Sequence, residues 1–120
     1  MSAQPDTRSL FCVHICVHNK VGSLKDVELE FEWDEAKARA NLEKHGVSFL
    51  TAAASFSNER LERIDDREDY GEVRWIALAR VGIEVYRVVF TWRSQYLVRI
   101  VSAQRASKVE REIYYRETFS

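Results

Sequence analysis

Residues 73–104, VRWIALARVGIEVYRVVFTWRSQYLVRIVSAQ, carry the pattern that decides the fold. Three runs rich in β-branched and aromatic residues, Val73–Val81, Glu84–Arg93 and Tyr96–Gln104, are separated by brief turns containing Gly82 and Ser94. Such runs read as strands. Connections this short rule out the crossovers that parallel neighbours need, so the spacing predicts an antiparallel meander. Alternation along the middle strand gives one apolar face, Tyr86, Val88, Phe90 and Trp92, and one mixed face, Val85, Arg87, Val89, Thr91 and Arg93. The apolar set predicts the core side; the mixed set predicts an open, ligand-facing side. Strict alternation in the next strand puts Leu97, Arg99, Val101 and Ala103 opposite Val98, Ile100, Ser102 and Gln104. A slip of one residue would exchange those faces.

Outward from the meander the period changes. Leu29-Glu30-Phe31-Glu32-Trp33 alternates apolar and acidic residues, as a half-buried strand does. Asp34 suits the N-cap of a short helix that closes at His45-Gly46, where glycine fits a left-handed C-cap. Ser48 caps a second helix with the apolar stripe Phe49, Ala52, Ala53 and Phe56, ended by Asn58. Leu61–Asp65 is a short strand candidate, followed by the charged loop Asp66–Gly71. Ala106–Arg116 closes the chain as a charged helix with Val109, Ile113 and Tyr114 inward. The predicted order is β-α-α-β-β-β-β-α: an α+β sandwich whose meander packs against helices that cover one sheet face.

These elements place one domain at residues 29–120, preceded by a poorly ordered extension, residues 1–28, in which Phe11–Val17 can add an edge strand. Cys12, His14, Cys16 and His18 are soft ligand types, but crowding within so short a stretch does not readily close a tetrahedron, and no metal site is expected. Two cysteines give no disulfide framework, so a reducing cytoplasm is the expected setting. No run approaches the roughly 20 apolar residues of a membrane span. Leu10–Val17, interrupted by His14, does not make a signal peptide.

The formal charge of −1 conceals an asymmetry. Residues 1–73 hold nine Lys/Arg against fifteen Asp/Glu, and residues 74–120 hold nine against four. The basic second half suits phosphate binding. Arg74, Arg80, Arg93 and Arg99 are concentrated on the meander, although any one of them is equally a solvated strand residue. Trp75 and Tyr96 are placed to stack bases, whereas Trp92 shares the core register. His45 lies at a helix C-terminus, open both to acid–base work and to simple capping, and Lys44 beside it binds phosphate or solvates the helix end. Glu110 and Tyr114, four apart, face one side of the last helix and can orient strand arginines or merely decorate it. Residues 29–120 show no carboxylate pair or metal-ligand cluster, and no P-loop or dinucleotide fingerprint occurs. Metal-assisted hydrolysis and nucleotide cofactors are therefore disfavoured, and no cofactor is expected.

A set of short blocks stands in one order. These are Phe31-Glu32-Trp33-Asp34, Lys37, Asn41 and Lys44-His45-Gly46-Val47-Ser48-Phe49, then Gly71-Glu72 with Arg74. Val88-Val89 with Thr91 and Arg93 comes next, then Arg99-Ile100-Val101-Ser102-Ala103 with Arg105-Ala106, Glu110 and Tyr114. In this order the chain resembles the BrnT toxin family over about residues 29–118. The resemblance implies a RelE-like endoribonuclease toxin of a type II toxin–antitoxin system, inhibiting translation through RNA cleavage. It also implies a BrnA-like antitoxin as partner, through which alone the complex touches DNA. Together with the residue reading, it gives an expected catalytic set of His45, Arg74, Arg80, Arg99 and Gln104, with RNA contacts from Lys44, Arg93, Arg105 and Trp75. One position departs from the family pattern: Gln104 stands where arginine usually follows Ser-Ala. Glutamine donates hydrogen bonds but cannot neutralise a phosphorane. That departure, with the charge of −1, keeps open an alternative: a catalytically inactive homologue that binds the antitoxin and tunes operon repression.

Overall fold

The computed structural model describes residues 10–17 and 27–119, with side chains from residue 28 onward. Asp34 ends strand β2 (Val27–Asp34) and caps helix α1 (Glu35–His45), its carboxylate accepting from the backbone N–H of Ala36 at 2.8 Å and of Lys37 at 3.4 Å. Gly46, at φ +70°, closes the helix by donating its N–H to the Leu42 carbonyl. Ser48 caps α2 (Phe49–Ser55), and Phe49, Ala52, Ala53 and Phe56 are all buried, as their spacing predicts. Strand β3 (Arg60–Asp65) leads into the meander of β4 (Arg74–Val81), β5 (Glu84–Ser94) and β6 (Leu97–Arg105). Helix α3 (Lys108–Thr118) opens with a reciprocal capping box between Ser107 and Glu110. Strand β1 (Leu10–Val17) pairs antiparallel with β2 along its whole length, supplying an edge strand where the sequence allowed one. Val27 and Glu28 of the predicted extension begin β2; its residues 1–9 and 18–26, including His18, and the side chains of Cys12, His14 and Cys16 lie outside the described part.

The strands form one sheet in the order β1-β2-β6-β5-β4-β3. It is antiparallel throughout except where β2 runs parallel to β6, from the pair Glu30–Leu97 to Glu32–Arg99. The main core lies between α1, α2 and one sheet face, where Phe31, Phe56 and Phe90 stack edge to face at 5.1 Å centroid separations. Among the described residues no helix is long and apolar enough to cross a membrane.

Two expectations are corrected. The helices do not share one face. Tyr114 of α3 is buried with Val85 and Ala106, against Leu78 and Leu61. Val85 and Leu78 are out of phase with Val88 and Ala77 of the main core, so α3 covers part of the opposite face. The chain gets there by turning over β5, with the Ala106 N–H donating to the Val85 carbonyl at 2.9 Å. The alternation of β6 also fails. Val89 pairs with Ser102 and Phe90 with Ile100, leaving Val101 as an extra residue. This bulge returns Ala103 to the core side with Val98 and Ile100, and puts Ser102 and Gln104 on the side of Arg99.

Candidate nucleic-acid interface

On the face away from α1 and α2, a line of side chains crosses five strands. Glu32 of β2 is level with Arg99 of β6, and Arg99 with Thr91 of β5. One residue beyond the Trp75–Phe90 pair, Arg74 of β4 comes level with Thr91, and it is the partner of Asp65 on β3. Two strand spacings thus separate the backbones of Arg74 and Arg99, about 10 Å. Both guanidinium groups already have companions. Arg99 donates its Nε to one Glu32 oxygen at 2.8 Å, and its Nη2 lies 2.8 Å from the same oxygen in an ion pair. Arg74 donates Nε to Glu72 at 3.0 Å and lies 4.3 Å over the Tyr70 ring. An incoming phosphate must compete with these carboxylates, and a planar guanidinium fork can share its donors between two anions.

Asp65 is buried at the end of this line. Arg67 grips it with both arms of its fork, at 2.6 and 2.7 Å, and the Tyr70 hydroxyl donates to it at 3.2 Å. The Arg67 hydrogen bonds, foremost among the causes, hold the Asp65 carboxyl well below the usual carboxylate range despite its burial. Asp65 therefore stays ionised and occupied.

Where β4 begins and β5 ends, a cleft of about 310 Å³ opens between Glu72, Val73, Trp75, Thr91, Trp92 and Arg93. Trp75 and Trp92 are both half-buried and flank the main core. Trp92 is therefore not the wholly interior residue that its register suggested. Thr91 spends its hydroxyl on the Val73 carbonyl at 2.7 Å, tying the two strands together below the cleft. Arg93 sits at a second register irregularity, between Trp92 and Ser94. It is exposed, and among the described residues it forms no ion pair.

The fold divides the predicted catalytic set. Arg74 and Arg99 share a face with Gln104, which stands opposite Arg87. Arg87 is in turn held by Glu110 of α3 at 3.3 Å, the orienting role open to Glu110 in the sequence. His45 and Lys44 end α1 on the other side of the sheet, where Asn41 anchors that helix to β6. Arg105 joins them there, with Nη1 4.0 Å from the point a Cβ on Gly46 would occupy. Arg80 shares the face of Arg74 but lies at the far end of β4, where it donates to the Gly82 carbonyl at 3.0 Å and lies 5.6 Å over the Phe119 ring beside α3. The sequence reading missed Glu32, because the parallel pairing of β2 with β6 joins residues 67 apart and leaves no local signal. It also gave no role to Asn41 or to the Asp65–Arg67–Tyr70 cluster; an aspartate followed two residues later by arginine is the only trace of the latter. Among the described residues no group of three or more His, Cys, Asp or Glu is placed to hold a metal ion.

The chain matches the family described as the ribonuclease toxin BrnT of type II toxin–antitoxin systems over residues 33–110, a stretch that includes the aromatic cleft and the arginine line except Glu32. Among solved structures, the crystal structure of the Brucella abortus ribonuclease toxin BrnT is similar. The TM-score is 0.47 and the identity 23%, covering 63% of this chain and 94% of that one. No curated protein matches. The chain belongs to the BrnT family of ribonuclease toxins of type II toxin–antitoxin systems.

Proposed function

We propose that the protein is a metal-independent endoribonuclease that blocks translation, and that a BrnA-like antitoxin neutralises it and supplies the only contact with DNA. The observation that carries this reading is the placement of Arg74 and Arg99 level with each other on one sheet face, with the Trp75–Trp92–Arg93 cleft at the strand ends where β4 begins and β5 ends. Cleavage without a metal requires a base for the ribose 2′-hydroxyl, cations for the pentacovalent phosphate and an acid for the leaving oxygen. Arg74 and Arg99 are the cations. Glu32, the carboxylate beside Arg99, is the proposed base, and Asp65 is excluded from that role because Arg67 and Tyr70 occupy it. His45, Lys44 and Arg105, across the sheet, bind a more distant part of the RNA rather than the reacting phosphate. In this reading residues 29–120 are the toxin domain of RelE-like fold, residues 1–28 are an extension, and the protein acts in the cytoplasm.

The test is induction of the full chain in growing cells beside Arg99→Ala and Gln104→Arg, with purified protein assayed on RNA in the presence of a chelator. Arrest and chelator-resistant cleavage by the natural sequence, lost in Arg99→Ala and relieved by the antitoxin, is the expected result. A second reading is favoured by one observation: Arg74, Arg87 and Arg99 each already hold a carboxylate, and Gln104 replaces an arginine. That reading is a catalytically silent partner of the antitoxin. Arrest only after Gln104→Arg would establish it, and silence from all three chains would overturn the nuclease reading.

A further inference from the structure

Trp75 and Trp92 stand on neighbouring strands and one sheet face. Trp75 is level with Phe90, which makes Trp92 its diagonal neighbour. Diagonal neighbours lie about 7–8 Å apart, their Cβ atoms somewhat less, within reach of aromatic side chains. The Trp92 ring is fixed by an edge contact with Phe90, at 5.9 Å and 80°, and Trp75 is braced against the same core. The cleft they flank, about 310 Å³, is at the lower end of the range for small-molecule sites. Its rim carries one cation and one anion. Arg93 forms no ion pair among the described residues. Glu72 gives one carboxylate oxygen to Arg74 and keeps the other without a partner among those residues.

We infer that this cleft is a nucleobase slot: one unpaired base of an RNA strand stacks on Trp75 and Trp92, its phosphate pairs with Arg93, and Glu72 reads the base edge. Stacking on aromatic side chains tolerates every base and contributes about 1–3 kcal/mol per base, so any selectivity must come from Glu72. An ionised carboxylate only accepts hydrogen bonds. It therefore favours a base that presents donors. Guanine, with adjacent N1–H and N2–H₂ groups, fits best. Uracil, with one N–H between two carbonyls, fits worst. The inference rests on the ribonuclease reading for its choice of RNA as the ligand, but its test reads binding alone.

The chain has three tryptophans, hence three indole N–H signals in the ¹⁵N-labelled full-length protein. Trp33, only 4% exposed, serves as the internal control. Titration with guanosine 5′-monophosphate is expected to shift the Trp75 and Trp92 signals and leave Trp33 in place. Uridine 5′-monophosphate is expected to bind about 10-fold more weakly, a difference of about 1.4 kcal/mol. Glu72→Gln should bring the ratio of the two affinities towards one, and Arg93→Ala should weaken both nucleotides several-fold. Still signals for Trp75 and Trp92 at millimolar guanosine monophosphate would overturn the slot. Equal affinity for the two nucleotides in the natural sequence would overturn the role given to Glu72. A silent nuclease with a working slot, or an active one with unresponsive tryptophans, would separate failure of one reading from failure of the other.

Discussion

Replacing Asn41 tests how the fold is held together where the sheet runs out. Strand β2 accompanies β6 only as far as Glu32–Arg99, so further along β6 there is no strand neighbour on that side. The Asn41 amide takes the place of the missing peptide group. Its Nδ2 donates to the Ala103 carbonyl at 2.8 Å and to the Val47 carbonyl at 3.0 Å, and its Oδ1 accepts from the Ala103 N–H at 3.1 Å. The side chain is 8% exposed. Asn41→Ala removes three hydrogen bonds worth about 0.5–1.5 kcal/mol each and leaves buried backbone groups without partners, a loss of about 2–4 kcal/mol. Against a domain stability of about 5–15 kcal/mol, that should lower Tm by about 10 °C and shift the urea midpoint at unchanged m. Asn41→Asp is the sharper variant. It keeps the shape and one acceptor but turns a carboxylate oxygen towards two carbonyl oxygens, so near pH 7 it should cost at least as much as alanine. An Asn41→Asp protein melting with the parent would refute the strand-substitute account.

Other outcomes follow from the same contacts. Asp65 has its pKa depressed in the folded chain, so its grip by Arg67 contributes stability that is complete above the unfolded carboxylate value of about 3.9 and is lost as pH falls below it. The Tm gap between the natural sequence and Arg67→Ala, measured by calorimetry from pH 7 downwards, should therefore narrow in acid, and it should be modest throughout because Arg67 is 51% exposed. Gly46→Ala meets only Arg105 at 4.0 Å, an ordinary contact, so its cost should be the roughly 1–2 kcal/mol of a left-handed non-glycine residue and no more, read by urea titration. Glu32→Gln releases Arg99 and removes the proposed base: RNA affinity at low salt should rise while the cleavage rate falls about 10²–10⁴-fold, and a parallel change in both would count against that assignment.

Much of this architecture could be read locally. Asp34, Gly46 and Ser48 announce helix boundaries because their side chains or backbone freedom act within three or four residues. Gly82 announces a turn and adopts φ +62°. The apolar face of β5 was legible because it follows an uninterrupted period of two. What escaped depends on distant partners. No residue near Val101 marks the bulge, which exists because two register-matched segments flank one extra residue, and it alone puts Gln104 on the side of Arg99. The placement of α3 on the second face depends on Val85, whose neighbours in sequence point the other way. The candidate site shows the same split. The arginines, Trp75 and an orienting role for Glu110 could be named from type and position, but not that Glu32 and Glu72 would each claim an arginine.

The parallel seam between β2 and β6 also sets an order of assembly. Glu32 and Arg99 meet across 67 residues of chain, with two helices and three strands made in between. Contacts of such long sequence separation close late, since loop entropy must be overcome before they return any stability. On a ribosome releasing the chain from its N-terminus, the β6 side of β2 waits until residues 97–99 emerge. A product ending before residue 97 lacks Arg99 altogether and cannot form the proposed site, while it leaves that edge of β2 open to foreign strands. Synthesis cut short thus yields a chain that lacks the proposed site and is prone to aggregate.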